Sequence, residues 1–261
     1  YNLRSMCCIA HGSECPSCQY NQTCAYAFIF ETILPFSNEI RTGINRASHP
    51  FVFSNCSNNY KEFTITLLGK AIDYLPYIYA AFVRAGKSGL FKSRTQYTVE
   101  DVLISGKSIL IGEQNIDMSF DRREWGIREI KANPLEILVE LKTPLRFKTR
   151  GKYILDFSAD DFMMCLYRRM KTLCILYGNF NEVTDYIPQE GKIKIIERNL
   201  YWQDYTHYSS RQKNVMELGG VTGTFKLVGK FSDFEIALLD FAKKFNAGKS
   251  TNFGLGIIDY W

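Results

Sequence analysis

Two capped amphipathic helices, each set between strand-like segments, narrow the folds open to this chain more than any other feature. "SADDFMMCLYRRMKTLCILYG" (158–178) offers Ser158 or Asp160 as its N-cap. Phe162, Leu166, Met170, Leu173 and Tyr177 recur along one face at helical spacing. "SDFEIALLDFAKKF" (232–245) repeats the pattern, with Ser232 or Asp233 as cap and Phe234, Ala237, Leu238, Phe241 and Phe245 inward. Strands are predicted at 135–148, 192–202 and 223–230, and a last one at 253–258, after a glycine-rich loop. A helix with one apolar face has to bury it, and the order β-α-β-β-α-β does so on a split βαβ, ferredoxin-like sheet.

The first half reads similarly. A short helix "LRSMCCIA" precedes strands near 26–33, 50–54 and 61–69, then a helix at 71–86 and strands near 94–104 and 108–112. The expected fold is therefore α+β, two tandem ferredoxin-like units, the first lacking its N-terminal strand. Residues 1–140 form one unit with an inserted cysteine cluster, and 141–261 form the other with the glycine loop. The missing strand is consistent with a fragment of a larger protein. A chain of 261 residues, 46% hydrophobic, is long enough for one large core or two modest ones. No apolar run approaches the ~18 residues of a membrane span, and no signal peptide is visible, so a cytoplasmic location is expected.

The net charge of +5 sits wholly in the second half: residues 1–140 carry 14 Lys+Arg and 14 Asp+Glu, residues 141–261 carry 18 and 13. "LKTPLRFKTRGK" places Lys142, Arg146, Lys148, Arg150 and Lys152 at even positions. A strand there would show a basic stripe on one side, and phosphate backbone is the usual polyanion to match it. A merely solvated face is the alternative. The loop "FNAGKSTNFGLG" contains the Gly-Lys-Ser of a phosphate-binding loop, but Lys243 stands where that motif needs its first glycine, and the helix precedes the loop instead of following it. Gly86-Lys87-Ser88 fails the same test, with Ala81 in the glycine position. Gly248, Gly254 and Gly256, with Lys249, Ser250 and Thr251 as donors, instead suit a loop docking against some other anionic ligand, or else a tight turn seating the last helix on the sheet.

The cysteines give the sharpest local signal. Cys8, Cys15, Cys18 and Cys24 place four thiols within 17 residues, one pair in C-x2-C spacing. Four thiolates suit tetrahedral zinc, which would be structural. Cys7 is a spare, His11 could replace one ligand, and an iron–sulfur cluster or unligated thiols are the alternatives. Cys56, Cys165 and Cys174 lie singly in or beside apolar segments and read as core thiols.

Taken in order, "NLRSM", the cysteines leading into "CAYAFIFE", "HPFVF", "LLGKA", "AAFVRAGKSGL", "LKTPLRFKTRGK", "HYSSRQKNVMELGGVTGTF" and "AGKSTNFGLG" resemble one family over nearly the whole chain. It is the pre-crRNA-processing endoribonucleases, the sixth numbered Cas family of the RAMP superfamily. Two departures stand out: Asn246-Ala247-Gly248 where the family often has Gly-x-Gly, and Lys92 where it often has another glycine. The resemblance implies cleavage of CRISPR repeat RNA without a catalytic metal, by 2′-OH attack that leaves a 2′,3′-cyclic phosphate and a 5′-OH. It also implies RNA contacts from Arg146, Lys148, Arg150, Gly248, Lys249, Ser250, Gly254 and Gly256, and partners among other CRISPR-associated proteins. Such a reaction needs a base, an acid and a cation, and histidine suits the first two near neutral pH. Of the three histidines, His49 precedes Pro50 and a strand and reads as structural. His11 and His207 are equal candidates, with Tyr208 and Arg211 placed to orient a ribose and neutralise phosphate. A Tyr/Lys/Arg site without histidine, a non-cleaving RNA-binding RAMP subunit, and an RNA-processing domain of a larger spacer-acquisition fusion remain open alternatives.

Overall fold

A computed structural model describes residues 1–10, 14–32, 47–54, 61–112, 115–127, 134–178, 185–209 and 214–261; at 207, 209, 214 and 216 only the backbone is described. In chain order, α1 (Asn2–Cys7) is followed by a π-helical segment, Ala27–Glu31. Then come the paired strands β1 (Phe51–Ser54) and β2 (Thr64–Leu67), and a 3-10 turn (Gly69–Tyr74) that runs into α2 (Leu75–Ser88). Two-residue hairpins follow: β3 (Leu103–Ile104) with β4 (Lys107–Ser108), and β5 (Leu110–Ile111) with β6 (Asn115–Ile116). The remainder runs β7 (Glu136–Leu145), hairpin β8 (Lys148–Thr149) and β9 (Lys152–Tyr153), α3 (Ala159–Tyr177), β10 (Ile193–Gln203), hairpin β11 (Thr206–Ser209) and β12 (Asn214–Glu217), β13 (Gly220–Gly229), α4 (Asp233–Phe245) and β14 (Ile258–Tyr260). Two compact units result: residues 1–50 with 67–124, and residues 51–66 with 125–261.

The second unit is the ferredoxin-like sheet in full. Its order, β10-β13-β7-β14, is antiparallel throughout, with β13 and β7 central and α3 and α4 as the two crossovers. Both helices start where the sequence directs. Ser158 Oγ accepts the Asp161 N–H at 3.0 Å while Asp161 accepts the Ser158 N–H at 3.1 Å, and Ser232 and Glu235 form the same box at 3.3 and 2.7 Å. Ile137, Val139 and Leu141 alternate inward along β7 and share a core with Phe225 and Leu227 of β13 and Phe162 of α3. Phe162 lies edge-on to Phe225 at 5.1 Å, and Phe157 lies edge-on to both Phe225 and Phe147. Each such buried side chain contributes about 1.5–3 kcal/mol, so this cluster holds sheet to helix.

In the first unit α1 packs on α2. The strand expected at 26–33 is helical instead. Phe28 N–H bonds to the Cys24 carbonyl, and the Tyr26 and Phe30 rings, four residues apart, pack at 5.7 Å. The 94–104 stretch is extended only at Leu103–Ile104, and the strand expected at 108–112 is part of the short hairpins. No helix among the described residues is long and apolar enough to cross a membrane.

Candidate nucleic-acid interface

The glycine loop is shaped by the sheet it leaves. α4 ends at Asn246, a buried residue at φ 57°, whose side-chain amide donates to the Phe53 carbonyl at 2.9 Å and the Leu255 carbonyl at 3.2 Å. The chain returns through Ala247 N–H to the Gly256 carbonyl (2.7 Å), Lys249 N–H to the Arg146 carbonyl (2.8 Å) and Gly256 N–H to the Pro144 carbonyl (3.1 Å). A Cβ on Gly248 would lie 2.4 Å from the Arg146 oxygen, and one on Gly256 would lie 1.9 Å from the Ala247 oxygen. These two glycines are required by the turn itself. Of the strand expected at 253–258, Phe253 ends a 3-10 turn (Thr251–Phe253) set between residues in the left-handed region, Ser250 and Gly254, and β14 starts only at Ile258. The loop presents Lys249 outward, while Thr251 is buried.

Beneath that loop lies a cation that sequence reasoning missed. Arg169, on the inner face of α3, is 7% exposed and donates to the Thr251 hydroxyl at 2.8 Å and the Phe245 carbonyl at 3.4 Å. Its Nε is buried without a partner, and it makes no ion pair among the described residues. Burial brings its pKa down to about 10. The carbonyl it reaches terminates α4, where a helix carries negative partial charge.

The basic segment does not form one stripe. β7 ends at Leu145, so the expected strand through 152 is instead a strand end, a bend at Arg146-Phe147 and the β8–β9 hairpin. Arg150 (φ 50°) and Gly151 (φ 82°) make its turn. Lys142 is tied to Asp259 at 2.7 Å, and Lys243 also bonds that carboxylate, holding its pKa at about 2. Arg146, expected on a solvated face, is 9% exposed and donates to the carbonyls of Gly219 (2.7 Å) and Glu217 (3.4 Å). Its guanidinium and the Lys148 ammonium both lie against the Tyr153 ring, at 4.5 and 4.9 Å from the centroid. Lys148, Arg150, Lys152 and Lys249 reach solvent, and none of them has a carboxylate within ion-pair distance among the described residues. Cations left unpaired around one strand end, with an aromatic ring among them, are what a phosphate-and-base ligand requires.

Next to this region, Glu217 ends β12 and Gly219 lies between β12 and β13; sequence reading did not anticipate the β11–β12 hairpin. Thr206, His207, Tyr208 and Ser209 pair with Glu217, Met216, Val215 and Asn214. Tyr208 is 59% exposed, and Tyr201, Trp202 and Tyr205 upstream are exposed as well, Trp202 Nε1 bonding Asp204. The sequence signal was present in "NLYWQDYTHY". His11 and Arg211 lie outside the described residues, as does Cys56, and of His207 only the backbone is described. His49 Nδ1 lies 3.1 Å from the Ile29 carbonyl.

In the first unit, Cys8, Cys15, Cys18 and Cys24 line one cavity of about 210 Å³, together with Cys7. All five are free thiols. Among the described residues no three His, Cys, Asp or Glu side chains are already gathered tightly enough to hold a metal ion. Cys165 and Cys174 are buried core thiols, pushed up by burial to about 12 and about 11.

Residues 139–258 match the family model of the CRISPR-associated endoribonuclease Cas6, and residues 1–119 match a model described as an N-terminal domain. No curated protein matches the chain. Among solved structures, a Cas6 product complex, 14% identical, covers 82% of this chain and 82% of its own at a TM-score of 0.50. Thermus thermophilus Cas6, 16% identical, covers 50% of this chain and 55% of its own at 0.36. A partial Cas6-RT-Cas1–Cas2 complex, 22% identical, covers 49% of this chain and 22% of its own at 0.33. The chain thus spans little more than half of one of these relatives and about a fifth of another; the likeness to the product complex, at 14% identity, concerns the fold alone. Residues 139–258, which hold the ferredoxin-like sheet, are thus similar to the Cas6 family of CRISPR-associated endoribonucleases.

Proposed function

We propose that this chain binds CRISPR repeat RNA across the second unit and cleaves it once per repeat without a divalent metal. The 2′-oxygen attacks the adjacent phosphorus, the 5′-oxygen leaves with a proton, and the products carry a 2′,3′-cyclic phosphate and a 5′-OH. The observation that carries the reading is the unpaired cationic cluster at the end of β7. There Arg146 and Lys148 share the Tyr153 ring, and the Lys249 N–H is anchored on the Arg146 carbonyl. Such a cluster neutralises phosphates, and the adjoining exposed tyrosines of β10 and β11 provide stacking surface for unpaired bases.

In this reading Gly254 lets RNA approach a loop that Gly248 and Gly256 keep tightly turned, while Lys249 and Ser250 supply donors. His207 and His11 are the two candidates for accepting the 2′-proton, with Tyr208 and Arg211 orienting ribose and phosphate. Other CRISPR-associated proteins are the expected protein partners. The test is charge reversal at exposed positions, which spares the buried Arg146: Lys148→Glu, Arg150→Glu and Lys249→Glu together. Affinity for a repeat RNA should fall at least about tenfold, and the slope of log K against log salt should flatten by about 2, roughly 0.7 per lost phosphate contact. An unchanged affinity and slope would mean that the cluster is only a solvated surface. If affinity falls but the parental chain leaves the RNA uncut, the chain is a binding subunit.

A further inference from the structure

The proposed RNA recognition by the second unit leaves the five thiols of the first unit without a role. Between Glu14 and Cys24 the chain forms only turns and a three-residue 3-10 helix, and it buries no side chain fully. Glu14, Pro16, Gln19, Tyr20 and Gln22 are exposed, whereas Cys15, Cys18, Asn21 and Cys24 are half-buried. A segment this short of apolar groups cannot hold itself by packing. What its half-buried residues line is an open pocket of about 210 Å³, with Ile9 and Tyr20 exposed on its wall.

The backbone around the cavity is already suited to a ligand. Cys18 N–H closes on the Cys15 carbonyl at 3.3 Å with Pro16 in the turn, so the C-x2-C pair sits in a single tight knuckle. Cys24 N–H bonds the Tyr20 carbonyl at 2.9 Å, placing the third thiol at the start of the following helical segment. Cys8 caps the C-terminal end of α1, its N–H on the Arg4 carbonyl at 2.8 Å, and supplies the fourth thiol from a separate element. The Arg4 guanidinium lies over the Tyr26 ring at 5.7 Å.

We infer that Cys8, Cys15, Cys18 and Cys24 bind one zinc ion, which draws the four sulfurs inward and fills the cavity they now line. On binding, the four thiols release four protons, and the Zn²⁺ with four thiolates carries a net charge of about −2 that Arg4 partly offsets. A divalent ion with four sulfur ligands at ~2.3 Å closes a tetrahedron much smaller than the cavity. Among the described residues no three donors are gathered on one point, so binding requires the sulfurs to move closer together than they stand. Cys7, on the same wall, is the fifth thiol and is left free. The role is structural: with four protein ligands the ion has no open position for substrate. This site is independent of the RNA-binding reading of the second unit.

The test uses the full chain purified without added chelator. Elemental analysis should find about one zinc per chain, and a thiol reagent under native conditions should modify Cys7 while sparing the other four. Cys7→Ser should keep the zinc, and Cys15→Ser with Cys18→Ser should lose it. Should that double variant fail to fold, cobalt replacement in the parental chain gives a second readout: visible absorption of a tetrahedral tetrathiolate is expected. Zinc-free protein whose five thiols all react freely would overturn the inference, as would iron with acid-labile sulfide in place of zinc, or loss of zinc in Cys7→Ser.

Discussion

Gly254 and Gly256 have nearly the same backbone, φ 77° and 73°, but stand in different surroundings, and alanine at each separates conformational strain from steric overlap. At Gly254 the nearest atom to a new Cβ is Phe53 Cβ at 3.9 Å, an ordinary contact, so Gly254→Ala costs only the left-handed penalty, about 1–2 kcal/mol. At Gly256 the same penalty applies, but the Cβ would also lie 1.9 Å from the Ala247 oxygen and 2.9 Å from its carbon. Relief requires the strands of the turn to part by roughly an ångström or more to restore ordinary contact. That breaks the Ala247 N–H bond to Gly256 and the Gly256 N–H bond to Pro144, about 1 kcal/mol each, in a place where both residues are buried. Gly256→Ala should therefore cost about 3–5 kcal/mol, roughly 2–3 kcal/mol more than Gly254→Ala. Urea unfolding of the full chain, with the slope held common to the variants, gives the difference directly. Equal midpoints for the two variants would refute the close-approach reasoning.

Other expectations follow from the same contacts. Arg169→Met leaves the Thr251 hydroxyl and the Phe245 carbonyl without their donor and should lower stability by about 1–3 kcal/mol; an unchanged urea midpoint would show that this guanidinium does not hold the loop. Asp259 has its carboxyl depressed to about 2 by Lys142 and Lys243, so its contribution is complete above an ordinary carboxylate pKa and disappears as pH falls toward 2. Asp259→Asn should thus cost about 1 kcal/mol near neutral pH, allowing for solvent screening, and nothing once the carboxyl is protonated; a gap independent of pH would contradict the pairing. Alanine at the true catalytic base, His207 or His11, should slow single-turnover cleavage by ~10²–10⁴ with RNA affinity nearly unchanged, and parental rates for both variants would remove histidine from the mechanism.

The parts of the fold that local chemistry decides were legible in the sequence. Ser158 and Ser232 announce their helices because a capping box needs only residues three apart, and the apolar faces of α3 and α4 follow at fixed spacing. The segment 26–33 misled because its aromatic and β-branched residues suit a strand, while the packing of Tyr26 on Phe30 that favours a helical turn is a weaker signal. In the basic segment, Arg150-Gly151 was already a turn signal, and alternation of charge outweighed it in the reading. The burial of Arg146 had no local signal: its acceptors, on Glu217 and Gly219, lie 71 and 73 residues away. Arg169 was hidden likewise, since a cation among apolar helical positions is ordinarily taken to reach solvent. Of the candidate site, the thiol spacing and the exposed lysines could be read directly, whereas the sharing of Tyr153 by two cations depends on the β8–β9 hairpin that folds the ring back.

The central claim is most directly tested by mixing the full chain in excess with end-labelled CRISPR repeat RNA in EDTA and analysing the termini of the products. The account predicts a single cut, with a 2′,3′-cyclic phosphate on the upstream fragment and a 5′-OH on the downstream one. It also predicts that replacing the 2′-OH at the cleaved position by hydrogen abolishes the cut while binding persists. RNA that stays intact in EDTA and is cut only when a divalent ion is restored, or a cut that survives the 2′-deoxy substitution, would contradict it.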